Sequence, residues 1–215
     1  MEVLVRAASH SVGVKEGQRA VRLRMLNMID DLQYFDKAKA AVEAELEAVM
    51  ATLELGQTLQ SMRGIGSIIA AAFIGEVGDV SRFSDWKEVR SLAGLNLVEN
   101  SSGKHKGNTR ISKRGRPYLR YMLYMAGESA YLHCSEMREF CRYLQNRKKN
   151  PLHRYQATVA TGLKVMRILF HLAKTGERYD PSKALGAARL QQIASHVRKD
   201  CGKPLALGAG YAQSI

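Results

Sequence analysis

Apolar side chains recur along the first quarter of the chain at a spacing that suits one face of a helix. Val21, Met25, Met28, Leu32, Phe35, Val42, Leu46, Val49 and Leu53 stand alternately four and three apart, and Lys39 takes the one polar place in the row. No proline interrupts the pattern, and Gly56 stands just past its end, where helices often stop. The spacing predicts a coiled-coil segment over 18–56, with a helix of about 35 residues and a length of roughly 50 Å. A seam of that length needs a cover. Expected is a coiled coil, within the chain or between subunits of a homo-oligomer; a long amphipathic helix lying on its own domain is the alternative.

From Leu59 to Leu95 the pattern reads as a helix, a tight Gly64-Ile65-Gly66 turn, an apolar helix, a loop, and a helix starting near Ser84 as N-cap. This has the form of a helix-hairpin-helix, in which Gly64 and Gly66 let the backbone turn sharply and present amides to a phosphate. Any helix–helix turn can also use such glycines. Further on, Pro117 suits the first turn of a helix over 116–130 whose buried face is Leu119, Met122, Leu123 and Ala126. Helices are also predicted over 135–147 and 154–175. The second of these buries Val159, Leu163, Met166, Leu169 and Phe170, shows Lys164 and Arg167, and ends at Gly176 before Pro181. A weak helix over 184–199 and a glycine-rich tail complete the chain. The expected fold is mainly α: an irregular 1–17, the coiled coil, a compact helical domain over 57–182, and a weakly structured 183–215.

Charge changes the picture most. The 215 residues carry a net charge of +13. Residues 1–99 hold 11 basic and 14 acidic side chains, whereas 100–215 hold 22 basic and 6 acidic. A field of that kind repels itself unless a polyanion offsets it, and nucleic acid is the commonest polyanion. The alternative is a solvated basic face. The excess peaks in Asn100–Arg120, NSSGKHKGNTRISKRGRPYLR, which has seven Lys or Arg and no acidic residue. Gly103, Gly107 and Gly115 argue for loops there, with a short strand over 110–112. Cys134, Cys141 and Cys201 are odd in number and form no CxxC, so reduced core thiols are expected rather than zinc, even with His133 beside Cys134. The longest apolar run, Ile68 to Ile74, is too short to span a membrane. A cytoplasmic protein is expected.

Four pieces, in this order, resemble the C-terminal, serine-bearing part of transposases of the insertion-sequence one-ten family, the DEDD-type recombinases. They are RGIGSIIAAAFIGEVGDVSRFSDWKEVRSLAGL, NSSGKHKG, RISKRGRPYLR and ATGLKVMRILFHLAKTGERYDP. With the long helix before them, the resemblance covers about Ala20 to Pro181. It implies recombination in which a serine attacks a DNA phosphate and forms a temporary phosphoserine link. The serine directly before the glycine is Ser102, with Ser101 as the fallback. A serine needs deprotonation and a neutralised target phosphate, and Lys104, Lys106, Arg110, Lys113, Arg114, Arg116 and Arg120 are the candidate phosphate clamps. Ser112 reads as a turn or cap residue, and His105 as a phosphate contact.

The resemblance also implies an N-terminal RNase H-like domain whose four acidic residues bind a divalent metal. Nothing in 1–17 supplies it, and Asp30, Asp31, Asp36 and Glu43 fall on the coiled-coil helix. Hence no cofactor is expected in this chain, and Mg2+ only with that other domain. Leu97 departs from the family's usual proline. DNA is the expected partner, and a guide-like RNA is the further one the family implies. Three readings stand: a transposase by descent, inactive as a lone chain; a non-catalytic DNA- or RNA-binding regulator; and a structural helix-hairpin-helix protein, which leaves ISKRGRPYLR unexplained.

Overall fold

The computed structural model describes residues 6, 17–99 and 109–185. The chain divides into two compact units, 1–45 and 46–215. The described helices are α1 Gln18–Thr52, α2 Glu54–Gln60, α3 Ser67–Val77, α4 Trp86–Leu92, α5 Pro117–His133, α6 Ser135–Asn146, α7 Arg154–Thr175 and the short α8 Pro181–Ala184. A single 3-10 turn, Val80–Arg82, joins α3 to α4, and the two strands β1 Leu97–Glu99 and β2 Thr109–Ile111 form a hairpin. The mainly α class is therefore confirmed. The weak helix expected over 184–199 and the irregular 1–17 fall largely outside the described residues.

In the first unit α1 is continuous, as its periodicity predicts. Its seam side chains are bare in the single chain: Val21, Leu32, Phe35 and Val42 are 58%, 63%, 64% and 66% exposed.

The helix ends earlier than Gly56. Leu53 leaves helical geometry at φ −88°, ψ 116°, and the chain re-enters a helix at Glu54. Gly56 is not a cap but an interior residue of α2, because a β-carbon there would meet the Met50 carbonyl oxygen at 2.7 Å. The Gln57 side-chain amide donates to the Ala51 carbonyl at 2.6 Å, taking one of the acceptors that the helix end leaves open.

The second unit is built on the crossing of α5 and α7. On α5 the buried residues are Leu119, Met122, Leu123, Ala126, Gly127 and Ala130, so the predicted stripe is right and slightly short. On α7 Met166, Leu169 and Phe170 are buried as expected, together with Ala157, Thr161, Gly162 and Val165, while Val159 and Leu163 are only half-buried. Backbones meet where glycines face each other. A β-carbon on Gly127 would lie 2.5 Å from the Thr158 carbonyl oxygen, and one on Gly162 would clash with the carbonyl of Leu123. Around this pair α3 and α6 pack on α5, and α2, α4 and α6 pack on α7. Cys134 and Cys141 are free and buried in this core. Its polar groups are satisfied: Thr161 donates to the Ala157 carbonyl at 2.8 Å, and Thr158 donates to the Glu128 carboxylate at 2.8 Å. No helix among the described residues is long and apolar enough to cross a membrane.

Gly162→Ala therefore separates or distorts the two helices despite alanine's higher helix propensity. The expected loss is about 2–3 kcal/mol in urea unfolding. Gly66→Ala, at a position with open space around it, is the control with little change. An unchanged midpoint for Gly162→Ala would show that the crossing is not tight.

Candidate functional site

The most basic stretch of the sequence leaves and re-enters the domain through the β hairpin. β1 and β2 are antiparallel, with Leu97 opposite Ile111, Val98 opposite Arg110 and Glu99 opposite Thr109. Directly paired residues stand about 4.5–5.5 Å apart, so the two ends of 100–108 are held side by side. Ser101, Ser102, Lys104, His105 and Lys106 lie in that segment, outside the described residues.

What fixes the hairpin is a backbone lock between the end of α4 and the turn before α5. Lys113 N–H donates to the Gly94 carbonyl at 2.9 Å, Ser112 N–H to the Asn96 carbonyl at 2.7 Å, and Arg116 N–H to the Leu92 carbonyl at 2.7 Å. The Ser112 hydroxyl adds a bond to the Gly94 carbonyl at 3.1 Å, which is the turn role expected for it. Gly94, at φ 67°, has the Arg114 carbonyl oxygen 2.9 Å from where a β-carbon would be, and Gly115 leaves no room for one against Leu92. Both positions need glycine for space and for backbone sign. Lys113 itself takes φ 54°, a left-handed value that turns the chain between strand and helix. The AGL ending and the ISK-x-G stretch are two halves of one contact.

This lock sorts the five basic candidates among the described residues. Arg110 on β2 and Lys113 and Arg114 in the turn are exposed. Arg120 is half-buried and points inward, donating to the Ala93 carbonyl at 3.0 Å and more weakly to that of Lys113 at 3.4 Å. Arg116 donates to the Glu76 carbonyl at 2.6 Å and stands 3.5 Å from the Glu76 carboxylate, tying α5 to the end of α3. These two arginines hold the frame that carries the others. Arg90 and Asn96 support it from below, with the guanidinium donating to the amide oxygen at 2.8 Å.

The Gly64–Gly66 turn joins α2 to α3, as expected of a helix pair, and its two glycines differ. Gly64, at φ 87°, is pressed against α5, and its carbonyl accepts the Ser129 hydroxyl at 2.7 Å. Gly66 is the extended N-cap of α3 with open space beside it. The following loop departs from expectation at α4. Asp85 is the N-cap, accepting from Lys87 N–H, while Ser84 bonds instead to the Glu88 carboxylate. An aspartate cap adds charge that favours the helix N-terminus.

Elsewhere the polar chemistry is structural. Burial pushes the Cys134 thiol up, and the adjacent Glu136 carboxylate adds to the effect, so the thiol is a poor nucleophile. Burial likewise pushes the neighbouring Tyr179 hydroxyl up. Ser182 hydrogen bonds hold the Asp180 carboxyl below its usual range as it caps α8. Among the described residues no three His, Cys, Asp or Glu side chains converge as a metal ion requires.

The stretch that carries the AGL and ISK-x-G segments of this lock also has relatives in sequence. Residues 56–142 match the profile described as the transposase IS116/IS110/IS902 family, and this chain belongs to that family. It is 25% identical over 178 residues to the "Insertion element IS116 uncharacterized 44.8 kDa protein" of Streptomyces clavuligerus, covering 83% of this chain and 44% of that one. It is 30% identical over 158 residues to a "Probable family 20 transposase" of Pseudomonas aeruginosa, covering 71% and 45% respectively. With the "Transposase for insertion sequence element IS1111A" of Coxiella burnetii it shares 33% identity over 117 residues, 54% of this chain and 31% of the relative. The chain spans less than half the length of each.

The lock makes a direct stability prediction. Arg120→Ala takes the guanidinium donor away from the carbonyl of the buried Ala93 and lowers unfolding stability by about 1–3 kcal/mol, whereas Arg114→Ala changes it by less than about 0.5 kcal/mol. Equal losses in thermal or urea unfolding would contradict the division between framing and outward arginines.

Proposed function

We propose that this chain is the serine-bearing part of a DNA transposase, with Ser102 as nucleophile and the exposed cations beside it as phosphate contacts. The observation that carries the reading is the hairpin. It brings the two ends of the serine segment together and sets Arg110, Lys113 and Arg114 next to it on the outside of the domain. Lys104 and Lys106 come from the segment itself, and Gly66 offers the amides at the start of α3. Arg116, Arg120 and Gly64 serve this surface through the frame.

In the step proposed, the Ser102 Oγ gives up its proton and attacks a phosphorus of the DNA backbone. A new O–P bond forms, the bond from phosphorus to the departing sugar oxygen breaks, and that oxygen takes a proton to leave as a hydroxyl. The surrounding cations offset the charge that builds on the phosphoryl oxygens. The bond energy is kept in the phosphoserine, so a second hydroxyl can reverse the step on another strand. Ser101 stands in the adjacent position if Ser102 is not the attacking group. The resemblance assigns the four metal-binding carboxylates to another domain, which is why magnesium and that domain both enter the test below. A guide-like RNA would meet the same cations as DNA.

The exposed α1 seam fits the cover of a second copy, which would make the chain a homo-oligomer. Leu32→Glu with Phe35→Glu is expected to convert the oligomer to monomer in light-scattering chromatography. A monomeric parent chain would contradict this part of the reading.

Strand transfer is tested with a labelled element junction, magnesium, and denaturing electrophoresis, with the chain alone and with the N-terminal half of a longer relative added. A covalent protein–DNA band that Ser102→Ala removes is the expected result with the added half. Tight, salt-sensitive binding with no covalent band in either arm would instead make the chain a binding regulator. If roughly six phosphates are neutralised, the log–log salt slope is about −5.

A further inference from the structure

A second basic surface lies away from the hairpin, against α7. Lys164, Arg167, His171 and Lys174 are spaced three, four and three apart, so they form one row along the side of α7 opposite its buried face. The row is roughly 15 Å long at 1.5 Å per residue. It borders a cleft of about 410 Å³ that is also lined by Trp86 of α4 and by Arg178, Tyr179, Asp180 and Lys183 of the chain after α7.

The acidic groups of this cleft are already engaged. Glu177 pairs with Lys183 at 3.2 Å, and the Asp180 carboxylate accepts both the N–H and the hydroxyl of Ser182. Among the described residues no carboxylate pairs with Arg167, Lys174 or Arg178. Two guanidinium groups flank the half-buried Trp86: Arg90 lies 5.3 Å from its ring centroid and Arg167 5.5 Å. The cation–π contact with the indole restrains Arg167, which also lines the cleft, an arrangement that suits a phosphate oxygen. Lys174 is steadied in the same way over Phe170, at 5.2 Å.

We propose that this cleft is a phosphate-contact site for duplex DNA, separate from the serine hairpin. It rests on the reading above that the domain handles DNA. Two guanidinium groups, at 5.3 Å and 5.5 Å from the indole centroid, compete with an unpaired base for stacking on it, so the cleft suits the backbone of a duplex better than a single strand. One strand of B-DNA carries a charge every 3.4 Å of axis, so the row faces about four phosphates. Two separated contacts would fix the direction in which the duplex crosses the domain, which a single basic loop does not.

The test compares two double variants of the full chain by fluorescence anisotropy on a labelled DNA duplex of arbitrary sequence, across a salt series. Lys174→Gln with Arg178→Gln is expected to weaken binding roughly tenfold and to make the log–log salt slope shallower by about 2. Lys113→Gln with Arg114→Gln is expected to do the same at the hairpin, and the two losses should add. Arg178→Gln alone, a change at an exposed side chain, should make the slope shallower by about 1, which keeps the test decisive if the double variant unfolds. Normal binding by both cleft variants, with loss in the hairpin variant, overturns the cleft and spares the function. Absence of DNA binding by the parent chain overturns both. Loss confined to an RNA duplex run in parallel overturns the assignment to DNA.

Discussion

The second unit depends on one close approach, that of α5 to α7 at Gly127 and Gly162. Each glycine stands against a carbonyl of the opposite helix, so the helices pack backbone to backbone along that stretch. Because they are so near, the larger side chains on either side, Leu123, Met166 and Leu169, interdigitate in one core. The outer helices then have two walls to pack on rather than one. The direction in which α5 leaves this crossing also decides where its first turn lies. That turn begins at Pro117, immediately after the residues that lock the hairpin.

The hairpin is thus positioned from behind. The ladder of β1 and β2 is three pairs long and could not hold itself. It is held by three backbone bonds from Ser112, Lys113 and Arg116 to carbonyls at and just after the end of α4, and by Arg120, which donates to the Ala93 carbonyl between them. Glycine at 94 and 115 lets the two backbones touch. The turn that carries Lys113 and Arg114 is then attached to a rigid base through its neutral backbone, so these two side chains remain exposed.

Much of this could be read from the order of residues, because helices announce themselves locally. The span of α7 and the buried stripe of α5 follow from spacings of three and four, and Pro117 and Gly176 mark their ends. Contacts between distant backbones leave weaker marks. Gly56 looks like a helix stop and is an interior glycine chosen for space against Met50; Ser84 looks like a cap, but Asp85 two residues before Lys87 takes the place. The pairing of Gly94 with the turn at Gly115 joins segments some twenty residues apart, and no periodicity connects them. The serine segment was legible as a candidate from its composition and resemblance, whereas the cleft was not. Trp86 and Arg178 are ninety-two positions apart, and only the fold makes them neighbours.

Arginine shows why residue type alone falls short. Arg114, Arg120 and Arg167 are indistinguishable as charges in the sequence, yet each meets a different environment. Arg120 is half-buried beside the turn, and one of its terminal nitrogens donates to the carbonyls of Ala93 and Lys113. Arg114 stands on the outside of the same turn. Arg167 has its guanidinium carbon 5.5 Å from the centroid of an indole, a contact that restrains it at little cost in hydration. A net charge of +13 therefore overstates the cations that can meet a polyanion and hides where they are. The frame takes Arg116 and Arg120 out of that pool and in doing so fixes the places from which the others act. On the proposed function, affinity for a polyanion and stability of the fold fall to different arginines, so the outward ones can change without loosening the domain.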